Sequence, residues 1–222
     1  MKAEFIELNH LITDGMTTHR GLPGPQICDY FSHEESKKLY APGTEFQIGR
    51  IDMLANTGTY LDTPFHRFRD GADLSEVGLE KLADLPAILI DARMWPNGIP
   101  PEVVIGRRLS GHAVLFLTGW DRYWGRESYL NGHPYLEAAT AKFLVSQQVL
   151  LVGIDSHNID DTSGKSRPVH TSLLGAGIPI VEHLCNLDQL SGKSFQFTAT
   201  PPRVKGMGTF PVRAFAKINP ER

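Results

Sequence analysis

Residues 56–68 read N-T-G-T-Y-L-D-T-P-F-H-R-F. A Thr-Gly-Thr turn leads to Asp62, and His66 follows on the far side of Pro64. Aspartate is a hard oxygen donor, and histidine changes its charge near neutral pH, so it can act as a ligand or as a general base. Pro64 restricts the intervening backbone and lowers the entropy cost of holding both side chains in place. The pair suits a divalent ion or a proton relay. The residues equally allow Asp62 to cap a turn with His66 on the surface.

Two further groups invite chemical readings. His170 and Glu182 flank the stretch T-S-L-L-G-A-G-I-P-I-V. Glu182 closes an apolar run, so its carboxylate should lie near the interior, where it needs a cation or several donors. A metal ion would supply that charge, as would pairing with Arg167 or Lys165. Asp155-Ser156-His157 brings a serine, a histidine and an acid together. Nucleophilic triads are assembled in space and not from adjacent positions, and the G-x-S-x-G elbow is absent, so this group reads poorly as a nucleophile site. His10, His19, His33, His112, His133 and His183 show no H-x-x-x-H pairing and read as surface or locally satisfied groups. Phosphate-binding and dinucleotide-binding glycine patterns do not occur.

The elements that must position these groups follow from periodicity. Residues 5–8 form a strand candidate leading into a turn at 13–16. Residues 21–25 (G-L-P-G-P) cannot be regular structure, because proline fixes φ and glycine loosens it. A polar stretch runs from there to about Gly43. Residues 46–53 alternate as a half-buried strand should. A helix is expected over 75–84 with Ser75 as N-cap, and another over 136–147. Apolar runs at 86–91, 113–120, 149–155 and 178–182 read as buried strands, several of them ending on an acid or glycine, with late strands near Thr198 and at 213–216. Strand runs alternating with helices predict an α/β fold, in which the ends of buried strands collect functional groups. The aromatics of residues 120–129 follow one such strand and read as core or subunit contact.

The composition bounds the class. With 222 residues, 41% hydrophobic and a net charge of −3, the chain can bury one sizeable core, and the default is a single domain over residues 1–222. The charge balance lacks a nucleic-acid footprint, and no apolar run reaches membrane-span length. The N-terminal residues do not read as a signal peptide. Cys28 and Cys185 lack C-x-x-C spacing and read as free thiols of a reducing compartment, so a cytoplasmic protein is expected.

Taken together, these pieces resemble the cyclase family of metal-dependent hydrolases, which includes bacterial kynurenine formamidase and isatin hydrolase. The family signature H-x-G-T-H-x-D-x-P-x-H stands here as N-T-G-T-Y-L-D-T-P-F-H. Asp14-Gly15-Met16, Pro23-Gly24, VLFLTGW at 114–120, VGIDS at 152–156, and the His170 and Glu182 pair followed by Asn186-Leu187 agree in order. The resemblance runs over nearly the whole chain. It implies a swivelling β/β/α domain, usually in homodimers or homotetramers, and hydrolysis of a small amide, lactam or lactone. It implies Asp62, His170 and Glu182 as ligands of a divalent metal, zinc or manganese, and His66 as proton donor and acceptor.

Asn56 and Tyr60 replace two signature histidines. A neutral amide is a poor substitute for imidazole, and a phenol ligates well only after losing a proton of pKa about 10. The first metal position is therefore weakened, and a single ion is expected on Asp62, His170 and Glu182. Tyr60 becomes free to donate to a carbonyl oxygen as charge develops. Asn56 and Leu22 are expected to contact substrate, with residues 21–25 and 120–129 as pocket walls. The alternatives are a metal-free or non-catalytic small-molecule binder on the same scaffold, or a lyase or dehydratase using His66 as base.

Overall fold

The computed structural model describes residues 3–218. In chain order the strands are β1 (Glu4–Glu7), β2 (Gln26–Phe31), β3 (Ile48–Asp52), β4 (Tyr60–Asp62), β5 (Leu85–Asp91), β6 (Gly98–Ile99), β7 (Ala113–Leu117), β8 (Tyr135–Leu136), β9 (Leu151–Ile154), β10 (Ile180–Glu182), β11 (Phe195–Thr198), β12 (Thr209–Pro211) and β13 (Phe215–Ile218). The helices are α1 (His33–Leu39), α2 (Ala138–Ser146) and α3 (Pro168–Gly175). Nine strands form a mixed sheet in the order β1-β13-β11-β5-β7-β9-β10-β4-β12. Strands β5, β7, β9 and β10 run parallel at its centre. Antiparallel strands flank them on both sides. The expected α/β class is observed.

The period of two along β7 shows why the sheet is covered on both faces. Val114 and Phe116 pack with Ile154, Val169, Leu173 and Leu144, on the side of α2 and α3. Ala113, Leu115 and Leu117 point the other way, toward Leu61, Leu184 and Phe197. Every residue of β7 is buried, as a continuous apolar run in a central parallel strand should be.

Several local expectations need correction. Residues 75–84 are not an α-helix; only a short 3-10 turn, Leu79–Lys81, forms there. The Asp73 carboxylate accepts from the Ser75 amide and hydroxyl, and Glu76 reaches back to the Asp73 amide. These local bonds and Gly78 compete with helix propagation. The polar stretch before Gly43 contains β2 and α1, the latter opened by a capping box between Ser32 and Glu35. Strand β3 does lie within residues 46–53, but all of it is exposed, because it pairs only with β2 in a two-stranded ribbon. Proline at the first turn starts α3, a helix the periodicity does not predict.

Sheet register places the site. Strand β4 sits between β10 and β12, with Tyr60 opposite Glu182 and Pro211, and Asp62 opposite Ile180 and Thr209. Directly opposed residues share a face, as do positions two apart on one strand. Tyr60, Asp62, Glu182 and Thr209 therefore project to the α3 side, while Leu61 goes to the opposite core.

Candidate functional site

A cavity of about 290 Å³ is lined by His19, Leu22, Asn56, Tyr60, Asp62, His66, Arg67, Asn158, Arg167, His170 and Glu182. All seven residues singled out from the sequence, Leu22, Asn56, Tyr60, Asp62, His66, His170 and Glu182, line it. Leu22 brings the 21–25 loop to the wall as expected. The 120–129 aromatics do not line this cavity. Tyr129 is fully buried and touches His183, and the Trp124 ring stacks on His10 at 3.9 Å. They support the site from behind.

His170 projects from α3 with its Nε2 3.7 Å from Asp62 Oδ2 and 3.6 Å from Glu182 Oε1. Its direction is set by Asp160, whose Oδ2 lies 2.7 Å from His170 Nδ1 and also accepts from the His170 amide. The other Asp160 oxygen accepts from the Val169 amide, so one carboxylate caps the helix and orients the imidazole. Asp160 escaped the sequence reading. Its signal is an acid ahead of a helix that opens on Pro168, and that helix was itself overlooked.

Asp62 is buried in a particular way. Oδ1 accepts a short hydrogen bond from Thr209 Oγ1, while Oδ2 is buried with no hydrogen-bond partner. A buried carboxylate oxygen left alone is costly unless a cation stands beside it. Of the three residues expected to hold a metal, Asp62 and His170 meet here in a donor set that suits a divalent ion, while the third ligand atom grouped with them comes from His66 and not from Glu182. Asp62, His66 and His170 each offer a ligand atom within 4.8 Å of the others.

Glu182 is held by protein donors, and no arginine or lysine reaches it among the described residues. Tyr60 Oη donates to Oε2 at 2.7 Å, and the Ile159 amide donates to Oε1 at 2.7 Å. Burial and the Glu182 and Asp62 charges hold the Tyr60 phenol well above its ordinary range, so it keeps its proton. That proton goes to Glu182. Tyr60 lines the cavity where a substrate carbonyl would lie, and its phenol fixes Glu182. Burial pushes the Glu182 carboxyl upward against the opposing pull of His170. Burial pulls the His170 imidazolium down, but Glu182, Asp160 and Asp62 outweigh it and the net direction is up. A proton on His170 thus competes with any ion at this position.

His66 lies on the 3-10 turn Pro64–His66, and its side chain is 36% exposed. Its Nδ1 is 2.8 Å from Thr209 Oγ1 and 3.4 Å from Asp62 Oδ1. The Thr209 hydroxyl has a single proton, directed to Asp62, so toward His66 it can only accept. Nδ1 therefore carries the hydrogen, and Nε2 keeps its lone pair. Thr209 also escaped sequence reading, since nothing in T-F-P reveals a strand that pairs with β4. The close approach needs Gly208: a Cβ there would stand 2.3 Å from the His66 amide nitrogen.

Asp155-Ser156-His157 is not a triad. Asp155 accepts from the Thr118 and Gly119 amides, and Ser156 Oγ donates to the Asn158 carbonyl. Of the remaining histidines, His33 is exposed and His112 and His133 find nearby partners, as expected, whereas His10 and His183 depart from that pattern. His133 and His183 are buried, and the His10 Nε2 and His157 Nδ1 atoms are buried without partners. Burial pushes His10 down to about 4 and His133 downward as well. An imidazole held neutral in the folded chain but free to protonate when unfolded adds stability above pH ~6.5 that is lost as pH falls toward the folded value. For His10 this is about 2 kcal/mol at pH 5. His10→Phe, which keeps the stack on Trp124, is expected to flatten the acid limb of a Tm-against-pH profile between pH 6.5 and 4. An unchanged limb would show that His10 titrates normally.

Comparison with known proteins places this arrangement. The cyclase family model matches residues 6–161. This chain belongs to the cyclase family. A kynurenine formamidase of Geobacillus thermodenitrificans is 31% identical over 171 residues, 75% of this chain and 78% of the relative. A kynurenine formamidase of Bacillus cereus is 26% identical, with 96% of each chain covered. The fold is that of isatin hydrolase A from Labrenzia aggregata, with a TM-score of 0.84 at 22% identity, covering 98% of this chain and 94% of the other. The cyclase-family chain is a hydrolytic enzyme. No helix among its described residues is long and apolar enough to cross a membrane.

Proposed function

We propose that this cyclase-family chain is a metal-dependent hydrolase of a small amide, lactam or lactone. The observation that carries the reading is the buried, unpartnered Oδ2 of Asp62 facing His170 Nε2 at 3.7 Å. Asp62, His170 and Glu182 would hold one divalent ion. One imidazole with two carboxylates accommodates zinc or manganese. When bound, the ion supplies electrophilic polarisation of the substrate carbonyl and acidifies water.

The chain's own residues do the rest. Asp160 keeps the His170 Nε2 aimed inward, and Tyr60 with the Ile159 amide fixes Glu182. Thr209 holds the tautomer of His66 that leaves Nε2 basic. His66 takes a proton from the attacking water at Nε2, then returns it to the leaving nitrogen or oxygen as the C–N or C–O bond breaks. Leu22 and Asn56 shape the wall against which a small substrate lies, and Arg67 and Arg167 add cationic side chains to the lining. The relatives' names, a formamidase and a hydrolase of isatin, direct the substrate class toward an amide or a cyclic amide.

We propose further that the chain works in the cytoplasm as a homodimer or homotetramer. The free cysteines suit a reducing compartment. Exposed apolar side chains on and beside the β2–β3 ribbon, among them Tyr30, Ile48 and Ile51, suit a contact between copies.

The test is turnover of an N-formyl arylamine and an aryl lactam by chelator-stripped protein. Activity is expected to be absent until zinc or manganese is restored, with solvent oxygen entering the product. Turnover unaffected by stripping, or product without solvent oxygen, would contradict the reading and favour metal-free or lyase chemistry.

A further inference from the structure

We propose that His19, His157 and His183 form a second metal site, made of imidazoles alone and suited to zinc. None of the three belongs to the Asp62, His170 and Glu182 set, so the inference stands on separate residues. Each offers a ligand atom, and these atoms lie within 4.8 Å of one another. The three rings contact each other pairwise, with centroids 5.2, 5.4 and 5.6 Å apart and interplanar angles of 55°, 76° and 70°. Rings turned edgewise around a common point present nitrogens to it instead of stacking their faces.

Three observations point to an ion there. His157 is 9% exposed, and its Nδ1 is buried without any hydrogen-bond partner. A buried polar nitrogen left alone is costly unless something meets its lone pair. His183, wholly buried, is oriented through Nδ1 by the Tyr129 hydroxyl at 2.8 Å, which leaves Nε2 toward the cluster. This is how a protein aims the second nitrogen of a metal-binding imidazole. His183 also adopts φ +58°, a left-handed conformation that non-glycine residues rarely accept, and this turns its side chain inward from the residue after Glu182. The cluster is reached from the main cavity, because His19 lines that cavity.

The donor chemistry decides the ion. Three neutral imidazoles select zinc or a similar borderline ion over magnesium or calcium, and a tetrahedral ion with Zn–N near 2.0–2.1 Å brings its nitrogens to about 3.3 Å apart. His19, the half-buried ring of the three, closes that gap by exchanging its Tyr60 contact for the ion. Tyr60 Oη lies 3.1 Å from His19 Nε2 and 3.4 Å from His183 Nε2 while donating to Glu182. The phenol thus joins the two clusters, and a fourth position beside it is left for water or substrate.

Cobalt(II) titration of the chelator-stripped full-length protein tests this, read by metal stoichiometry and visible absorption. Wild type is expected to take up one equivalent with the strong absorption of a low-coordinate, nitrogen-ligated ion, beyond the equivalent held by the Asp62 set. His19→Gln, in the cavity lining, and His157→Gln should each weaken that uptake at least about a hundredfold, more than losing an orienting group does. Asp62→Asn should retain it. Far-UV circular dichroism checks folding, and His19→Gln carries the test should His157→Gln unfold. Wild-type stoichiometry and spectrum in both histidine variants would overturn this site. Wild-type stoichiometry in Asp62→Asn would instead overturn the carboxylate site of the proposed function.

Discussion

Asp62→Asn should remove metal-dependent turnover while leaving the chain folded. The substitution keeps the shape of the side chain and an oxygen to accept from Thr209, but it deletes the charge that the buried Oδ2 offers. The loss in kcat/KM should exceed the roughly 10–100-fold typical of removing a group that only orients a ligand. Stability gives a second readout. An ion that binds only the folded chain adds about 2.7 kcal/mol at a hundredfold excess over its Kd. For a chain of this length that raises Tm by roughly 5–10 °C. To isolate the carboxylate site, the comparison is made with manganese, which all-imidazole ligation disfavours. Wild type should show the rise and Asp62→Asn should not. An equal rise in both would place the ion elsewhere.

His66→Gln should act on a different step. Wild-type His66 lines the cavity, and Thr209 holds the hydrogen on Nδ1, which leaves the lone pair on Nε2. Losing a positioned acid and base costs about 10²–10⁴-fold in kcat. KM and metal content should stay near wild type, and the limb of the kcat–pH profile that reports the base should vanish. His66 also lies among the three residues able to offer ligand atoms to one ion. A drop in metal content with His66→Gln would therefore show it to be a ligand and not the proton carrier.

How far the sequence revealed this site depends on which information is local. Apolar runs ending on Glu182 and Asp155 marked strand ends correctly, because burial of a parallel strand on both faces leaves a continuous apolar signature. Asp62 and His66 were legible from one turn of chain. The partners that give them their chemistry were not. Thr209 reaches Asp62 through a strand pairing that has no local pattern, and Asp160 reaches His170 across a loop, marked only by an acid ahead of a proline-opened helix. The alternation in residues 46–53 gave the right element and the wrong burial, since period two reports a pleat without saying what covers it. The histidines show the same limit most sharply. Without H-x-x-x-H spacing, His19, His157 and His183 looked unrelated, yet the ends of neighbouring parallel strands β9 and β10 bring His157 and His183 together, and the N-terminal loop adds His19. The contact of Tyr60 with Glu182 across the sheet has no local pattern either, because register alone sets it.

The most direct test of the central claim is a crystal of the active protein grown with manganese or zinc, with diffraction recorded on both sides of the metal's absorption edge. The account predicts an anomalous peak within bonding distance of Asp62 Oδ2 and His170 Nε2, with Glu182 beside it. Catalytically competent crystals with no peak there, and with Asp62 Oδ2 satisfied by a protein donor, would contradict it.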